Sequence, residues 1–403
     1  MENPTNFIIV TDTFFPANTS GAIQLRDLAL EFVNQGHNIT VLVPSDQINE
    51  PYVVEELYNI QIVRLSAPTT KNVSMLHRTI NEILMPFFML KNLHTDSLIL
   101  NKKWTGIIWY SPSIFHGPLI KILKEKCKCR SYLIVRDIFP QWAHYLGLLK
   151  KGPTYYFFLA MATFQYSLAD IIGIETPGNS IYFEKWAKKY NRRLEVLHNW
   201  VGTQKKKPCS FRVSRTSINK RSILVYAGVM GVAQGLDIIV DLAIKMQGNT
   251  GIGFLLIGRG SERSRLAQRV DENKLDNLIF ADEIASDEIP DLYQQCTVGI
   301  ISLDRRHKSH NIPGKFMTYL QNGLPVLAIT SKGSDLAEMI RKYDVGLVCE
   351  DPDINYLEDT TIALIDRIRH DSSVSENCEN LWEEKFQVRD KVMQITAAFQ
   401  SNM

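Results

Sequence analysis

The sequence predicts an α/β protein built from two doubly wound parallel sheets, one in each half of the chain. Three observations carry that prediction. Apolar, β-branched runs of strand length recur along all 403 residues, with helical patterns between most of them. The composition breaks once, near residues 205–221, where KKKPCSFRVSRTSINKR holds seven basic residues and no acid. The length also exceeds the usual ~100–200 residues of a single domain.

The first half opens with FIIVTD (7–12) as a strand, then the loop FFPANTSGA (14–22). That loop leads into the helix GAIQLRDLALEFVNQG (21–36), with Ser20 as N-cap and Gly36 as terminator. Strands follow at NITVLVP (38–44) and IQIVRL (60–65). Further strands are expected at GIIWYSP (106–112), SYLIVRD (131–137), DIIGIET (170–176) and LEVLHNW (194–200). The predicted domains are 1–204 and 222–382, with 205–221 as a linker. In the second half the expected strands are SILVYAG (222–228), GFLLIG (253–258), NLIFAD (277–282), VGIISL (298–303), PVLAIT (325–330) and VGLVCED (345–351). Residues 376–403 read as a terminal helix.

The segment HNIPGKFMTYLQNGLPVLAIT (310–330) is the most informative. Pro313 and Gly314 break the chain before a short helix. Gly323 supplies its left-handed cap, and Pro325 follows. The free amides and dipole of such a helix start favour an anion, and Lys315 adds a cation there. GVMGVAQG (228–235) brings Gly228 and Gly231 to a loop before a helix, and GRGSERSRL (258–266) sets Arg259 between two glycines. Glycines admit close backbone approach to phosphate, and an arginine forks onto it. Together these strand ends suggest a diphosphate. In open α/β sheets ligands bind beyond the carboxyl ends of strands, here in a cleft expected between the halves. In the first half Asp137 ends a strand beside Arg136, Trp142 and His144, where a carboxylate can accept a sugar hydroxyl or act as a base. The alternative for Asp137 is a helix N-cap, and His144 reads as structural.

Composition excludes several classes. Net charge is +2, which argues against a nucleic-acid partner. The start MENPTNFIIV lacks the basic and apolar regions of a signal peptide, and no apolar run approaches ~18 residues. The six cysteines lack metal spacing and are expected to be reduced thiols of a cytoplasmic protein. No metal site is expected. Two stretches, 76–93 and 150–168, are rich in Leu, Met, Phe and Tyr beside basic residues. Each is either a core helix or a segment resting in a membrane interface.

Several segments together resemble glycosyltransferase family 4, and within it the bacterial O-antigen and capsule enzymes typified by N-acetyl-L-fucosamine transferases. They are FFPANTSGA, VRDIFPQ, ADIIGIETPGNSIYF, LHNWV, YAGVMGVAQGLD, LLIGRGSER and IPGKFMTYLQNGLPVLA, in this order over nearly the whole chain. The resemblance implies the GT-B fold: two Rossmann-like domains facing a central cleft, the first for acceptor, the second for donor. Residues 383–403 would cross back onto the first. It implies metal-independent, retaining transfer of a sugar from a UDP-sugar to a polyprenyl-diphosphate-linked acceptor at the inner membrane surface. The donor site it implies draws on Gly21, Gly228, Gly231, Gln234, Arg259, Glu283, His310, Pro313, Gly314, Lys315 and Thr318, and Asp137, Lys315 and Arg259 carry the chemistry. Many family members have glutamates where this chain has His310 and Thr318, and an Arg and a Lys where it has Val229 and Gln234. Two other readings stand beside this one: a non-catalytic scaffold of a membrane assembly, which the missing glutamates suit, and a nucleotide-sugar epimerase, which needs carboxylate acid/base groups around the donor and is opposed by the shortage of paired acids in the second-half loops.

Overall fold

A computed structural model describes residues 5–71, 73–93, 99, 102–202, 206–304, 306, 310–350 and 353–401. The chain divides into two compact units, residues 1–200 with 388–403, and residues 201–387.

In the first unit the apolar runs form β1 (Asn6–Val10), β2 (Asn38–Ser45), β3 (Tyr52–Leu57), β4 (Ile60–Ser66), β5 (Gly106–Ser111), β6 (Arg130–Val135), β7 (Ile171–Ile174) and β8 (Arg193–Val196). They lie in the order β3-β4-β2-β1-β5-β6-β7-β8. Helices α1 (Ser20–Asn34), α2 (Met75–Leu93), α3 (Gly117–Cys127), α4 (Gln141–Tyr145), α5 (Pro153–Leu168) and α6 (Glu184–Tyr190) connect them. The α1 cap is Thr19, whose hydroxyl accepts the Ala22 amide, one residue before the expected Ser20. The central strands are buried on both faces, as continuous Ile/Val/Leu runs require.

This sheet is not wholly parallel, contrary to expectation. β3 pairs antiparallel with β4. Tyr58 and Asn59 both take positive φ, 52° and 62°, which is the two-residue hairpin turn that matches strand twist. The signal is weak in the sequence because β3 is an edge strand with no buried residue.

The second unit carries β9 (Ser222–Ala227), β10 (Ile252–Ile257), β11 (Leu278–Ala281), β12 (Val298–Ser302), β13 (Val326–Ile329) and β14 (Gly346–Cys349). All neighbours are parallel, in the order β11-β10-β9-β12-β13-β14. Its helices are α7 (Asp237–Lys245), α8 (Arg263–Glu272), α9 (Ile289–Tyr293), α10 (Gly314–Gln321), α11 (Asp335–Tyr343), α12 (Ile354–His370) and α13 (Ser373–Lys385). The basic segment expected to be a linker is packed onto this unit. Cys209, Val213 and Ile218 are buried in its core, and Asp291 accepts both the Cys209 amide and Arg212. The apolar residues interleaved with the basic ones, not the charges, decide its position.

The expected single terminal helix is two. α13 stops at buried Phe386, and α14 (Val388–Gln400) restarts one residue later. α13 packs on α10 and α14 packs on α1. Phe399 of α14 fills the space left by Gly106, where a Cβ would lie 2.2 Å from its ring. No described helix is long and apolar enough to cross a membrane.

Candidate functional site

The carboxyl ends of β9, β10 and β12 bring the glycine loops and α10 of the second unit together. Gly228 follows β9 and Gly258 follows β10, with φ of +140° and +139°. Their loops lie backbone against backbone. The Gly228 amide donates to Ile257 O at 2.9 Å, and the Met230 amide to Arg259 O at 2.7 Å. A Cβ on Gly258 would stand 2.1 Å from Gly228 O, and one on Gly260 2.2 Å from Met230 O. Glycine is required for that approach and for that φ.

Lys315 reaches back from the first turn of α10 to the same point. Its Nζ donates to Tyr226 Oη at 3.2 Å and stands 4.4 Å from the ring centroid. Tyr226 Oη in turn donates to Val229 O at 2.5 Å, tying the lysine to the glycine loop. Gly228 lies against this ammonium, where a Cβ would stand 3.7 Å from Nζ. Burial pushes the Lys315 ammonium down to about 8. Pro313 precedes the helix without a side-chain cap, and nothing lies within 4 Å of where a Gly314 Cβ would be. The start of α10 thus presents backbone amides and a weakly hydrated cation, a combination suited to an anion.

The other expected donor residues are more occupied. Gln234 Oε1 accepts the Gly231 amide at 3.0 Å, so Gln234 closes its own loop. The Thr318 hydroxyl donates to Lys315 O within the helix. His310 Nδ1 lies 3.4 Å from Asp335 Oδ1 at the start of α11. Arg259 and Glu283 pair with each other at 3.1 Å on the surface, with 77% and 53% of their side chains exposed. Gly21 and Asp137 belong to the first unit. Gly21 sits in α1 against the Tyr110 ring, where a Cβ would be 3.2 Å from Cε1.

Beside the glycine loops, and lined in part by them, is a polar pocket of about 190 Å³. Gly231, Gly235, Glu262, Arg265, Asp304 and Arg306 line it. Its charges are matched in place: Arg265 holds Asp237 and Glu262, and Arg306 holds Asp304.

The first unit has a different strand edge. Arg136 is buried, stacks on Trp200 at 4.7 Å and donates to Leu197 O at 2.8 Å. Next to it Asp137 follows β6, and burial raises its carboxyl above the usual range against the pull of Arg136. Sequence reasoning missed two further acids at this strand edge. Asp12 follows β1 and is likewise raised, first by burial, with Oδ1 unpartnered among the described residues. Glu175 follows β7, is buried, and accepts Asn199 Nδ2 at 3.3 Å. Both are legible by the rule that picks Asp137, since FIIVTD and DIIGIET also run from apolar strand to acid. His144 is structural in its setting: Nδ1 meets Leu149 O at 3.0 Å and the ring abuts Tyr155.

Two parallel-sheet α/β units with these loops are the GT-B fold. Residues 221–367 match the family of glycosyl transferases group 1. The chain is 25% identical over 224 residues to WbjE of Pseudomonas aeruginosa, assigned provisionally as a glycosyltransferase, covering 54% of this chain and 55% of that one. It is 21% identical over 268 residues to WcaI of Escherichia coli K12, assigned provisionally to colanic acid biosynthesis as a glycosyl transferase. That match covers 64% of this chain and 65% of WcaI, so the chain aligns with less than two thirds of either relative. Among solved structures, sucrose-phosphate synthase of Thermosynechococcus elongatus superposes with a TM-score of 0.73 at 15% identity, over 98% of both chains. Anabaena Alr3699/HepE in complex with UDP gives 0.67 at 13%, over 99% of this chain and 100% of that one.

Proposed function

We propose that this protein is a retaining glycosyltransferase of bacterial surface-polysaccharide synthesis. It moves a sugar from a UDP-sugar, held by the second unit, to a polyprenyl-diphosphate-linked acceptor, held by the first. The single observation that carries the reading is the meeting of Lys315, Gly228 and the uncapped start of α10. The group 1 match over the same residues and the UDP bound by a fold neighbour support it.

In the reaction the acceptor hydroxyl oxygen bonds to the anomeric carbon, and the bond from that carbon to the donor diphosphate breaks. The hydroxyl proton passes to the departing diphosphate, whose charge Lys315, Arg259 and the α10 amides stabilise without a metal ion. Asp137 orients an acceptor hydroxyl. The sugar is an N-acetylated deoxyhexosamine of the N-acetyl-L-fucosamine kind. The protein works on the cytoplasmic face of the inner membrane, which its exposed apolar side chains on α2 and α5 suit.

Thermal unfolding with UDP, GDP, dTDP and ADP at equal concentration tests the donor. A ligand at 100 times its Kd stabilises the folded state by about 2.7 kcal/mol. We expect UDP to shift the transition and Lys315→Ala to abolish the shift. A Lys315→Ala enzyme that turns over within a few-fold of wild type overturns the site assignment.

A further inference from the structure

Helix α2 carries apolar side chains on both faces. Inward, Met85, Pro86 and Met89 are buried against the first unit's core. Outward, Leu76, Ile80, Leu84, Phe87 and Phe88 form a second stripe at spacings of three and four residues. These outward residues are 70, 44, 40, 53 and 40% exposed. A helix in water normally turns a polar face outward, and a continuous exposed apolar stripe marks a binding surface. At 1.5 Å per residue the 19-residue helix is about 28 Å long.

The same helix meets charge at its N-terminal end. Arg78 stands in its first turns, 63% exposed and paired with Glu82, and Lys71 is exposed in the loop before it. That loop is fixed to α2, because Asn81 Nδ2 donates to Thr69 O at 2.7 Å. Asp12, at the end of β1, is within electrostatic reach of Lys71, Arg78 and Glu82. One end of the apolar stripe therefore leads to two cations, and the cations lead to the carboxyl edge of the sheet.

We propose that α2 is the binding site for a lipid-linked glycosyl diphosphate. The hydrocarbon lies along Leu76, Ile80, Leu84 and the two phenylalanines. Lys71 and Arg78 take the diphosphate, Arg78 exchanging part of its contact with Glu82, and the sugar hydroxyls reach Asp12. The order apolar, cationic, carboxyl follows the order of the ligand: hydrocarbon, diphosphate, sugar. This assignment rests on the proposed acceptor class and adds where that acceptor binds.

Flotation of the full-length protein on phosphatidylcholine vesicles, with and without undecaprenyl diphosphate, tests it. Vesicles with phosphatidylglycerol at matched charge are the control. We expect wild type to prefer the undecaprenyl diphosphate vesicles over both others. The double variant Lys71→Ala/Arg78→Ala should lose about tenfold to thirtyfold of that preference, at roughly 1 kcal/mol per cation near an anionic surface. Leu76→Ser/Ile80→Ser/Leu84→Ser should weaken binding to every vesicle. All of these side chains are exposed, and an unchanged UDP thermal shift in each variant shows that the fold and donor site persist. Equal binding to phosphatidylglycerol vesicles overturns the diphosphate site in favour of a general anionic surface. Variants that bind as wild type overturn it altogether. A wild type that prefers undecaprenyl diphosphate yet neither binds a nucleotide nor transfers a sugar leaves the lipid site standing and removes the glycosyltransferase reading.

Discussion

The carboxyl edges of the two sheets are made of opposite materials. After β9 and β10 the second unit places glycines, backbone amides and the Lys315 ammonium. After β1, β6 and β7 the first unit places Asp12, Asp137 and Glu175, the last two beside buried Arg136. The same βα architecture thus yields an edge that attracts negative charge and an edge that accepts hydrogen bonds from hydroxyls. The difference lies in which residue ends the strand. A glycine lets backbone dipoles face the ligand, whereas an acid that is buried needs a matching cation to offset its lost hydration. Two substrates of opposite chemistry, a nucleoside diphosphate and a polyol, fit that division.

The division is tested most severely at Gly258. Its φ of +139° and the 2.1 Å approach of a Cβ to Gly228 O leave no room for Gly258→Ala. Both neighbours are backbone, so nothing flexible can yield. We expect a loss of more than about 4 kcal/mol, read by urea unfolding, together with loss of UDP binding. On the other edge Arg136→Met keeps the apolar contact with Trp200 but strips the charge from beside Glu175 and the donor from Leu197 O. Leaving one member of a buried charge pair alone costs about 3 kcal/mol or more. Here the loss should appear in stability while the UDP shift, scaled to the new transition, survives.

Lys315 probes the glycine edge through pH. Its ammonium is pushed down from 10.5 to about 8 by burial. Between those values the unfolded chain binds the proton and the folded one does not, so the stability of the free protein rises with pH from about 8 to about 10.5. Anion binding needs the protonated form and should run the other way. We expect UDP affinity to fall about tenfold for each pH unit above the Lys315 value, and Lys315→Met to flatten both slopes. Opposite slopes in one protein are hard to obtain from a general electrostatic change. Isothermal titration at pH 7 and 9, beside unfolding at the same pH values, reads both.

Much of this contrast is legible in the amino-acid sequence. The strand runs, the glycines after β9 and β10 and the helix that begins at Pro-Gly-Lys follow from periodicity and residue type. The contacts that decide each residue's freedom do not. Nothing in GVMGVAQG says that Gln234 caps Gly231, and nothing in the spacing of Arg259 and Glu283 says that they pair. Tyr226 as the seat of Lys315 is equally invisible, because 89 residues separate them. β3 hides for another reason: an edge strand exposes both faces, so the alternation that marks a half-buried strand is lost. Asp12 and Glu175 escape notice only because their neighbours lack the tryptophan and histidine that draw attention to Asp137.

Gly21 gives the smallest effect and the cleanest separation of the two edges. The family resemblance sets it among the donor residues, yet it lies in the first turn of α1 with the Tyr110 ring beside it. A methyl group there would stand 3.2 Å from Cε1, a side-chain atom that can move by a few tenths of an ångström. Its φ is not in the left-handed region, so alanine meets no backbone strain and gains up to about 1 kcal/mol of helix propensity. The ring shift offsets part of that gain. Gly21→Ala should therefore change stability by no more than about 0.5 kcal/mol and leave UDP affinity unaltered. Gly258→Ala differs in kind, because one glycine makes space for a ring and the other makes contact between two backbones possible. Were Gly21→Ala to abolish the UDP shift while preserving the fold, the donor would have to touch the first unit, and the assignment of donor to one edge and acceptor to the other would fail.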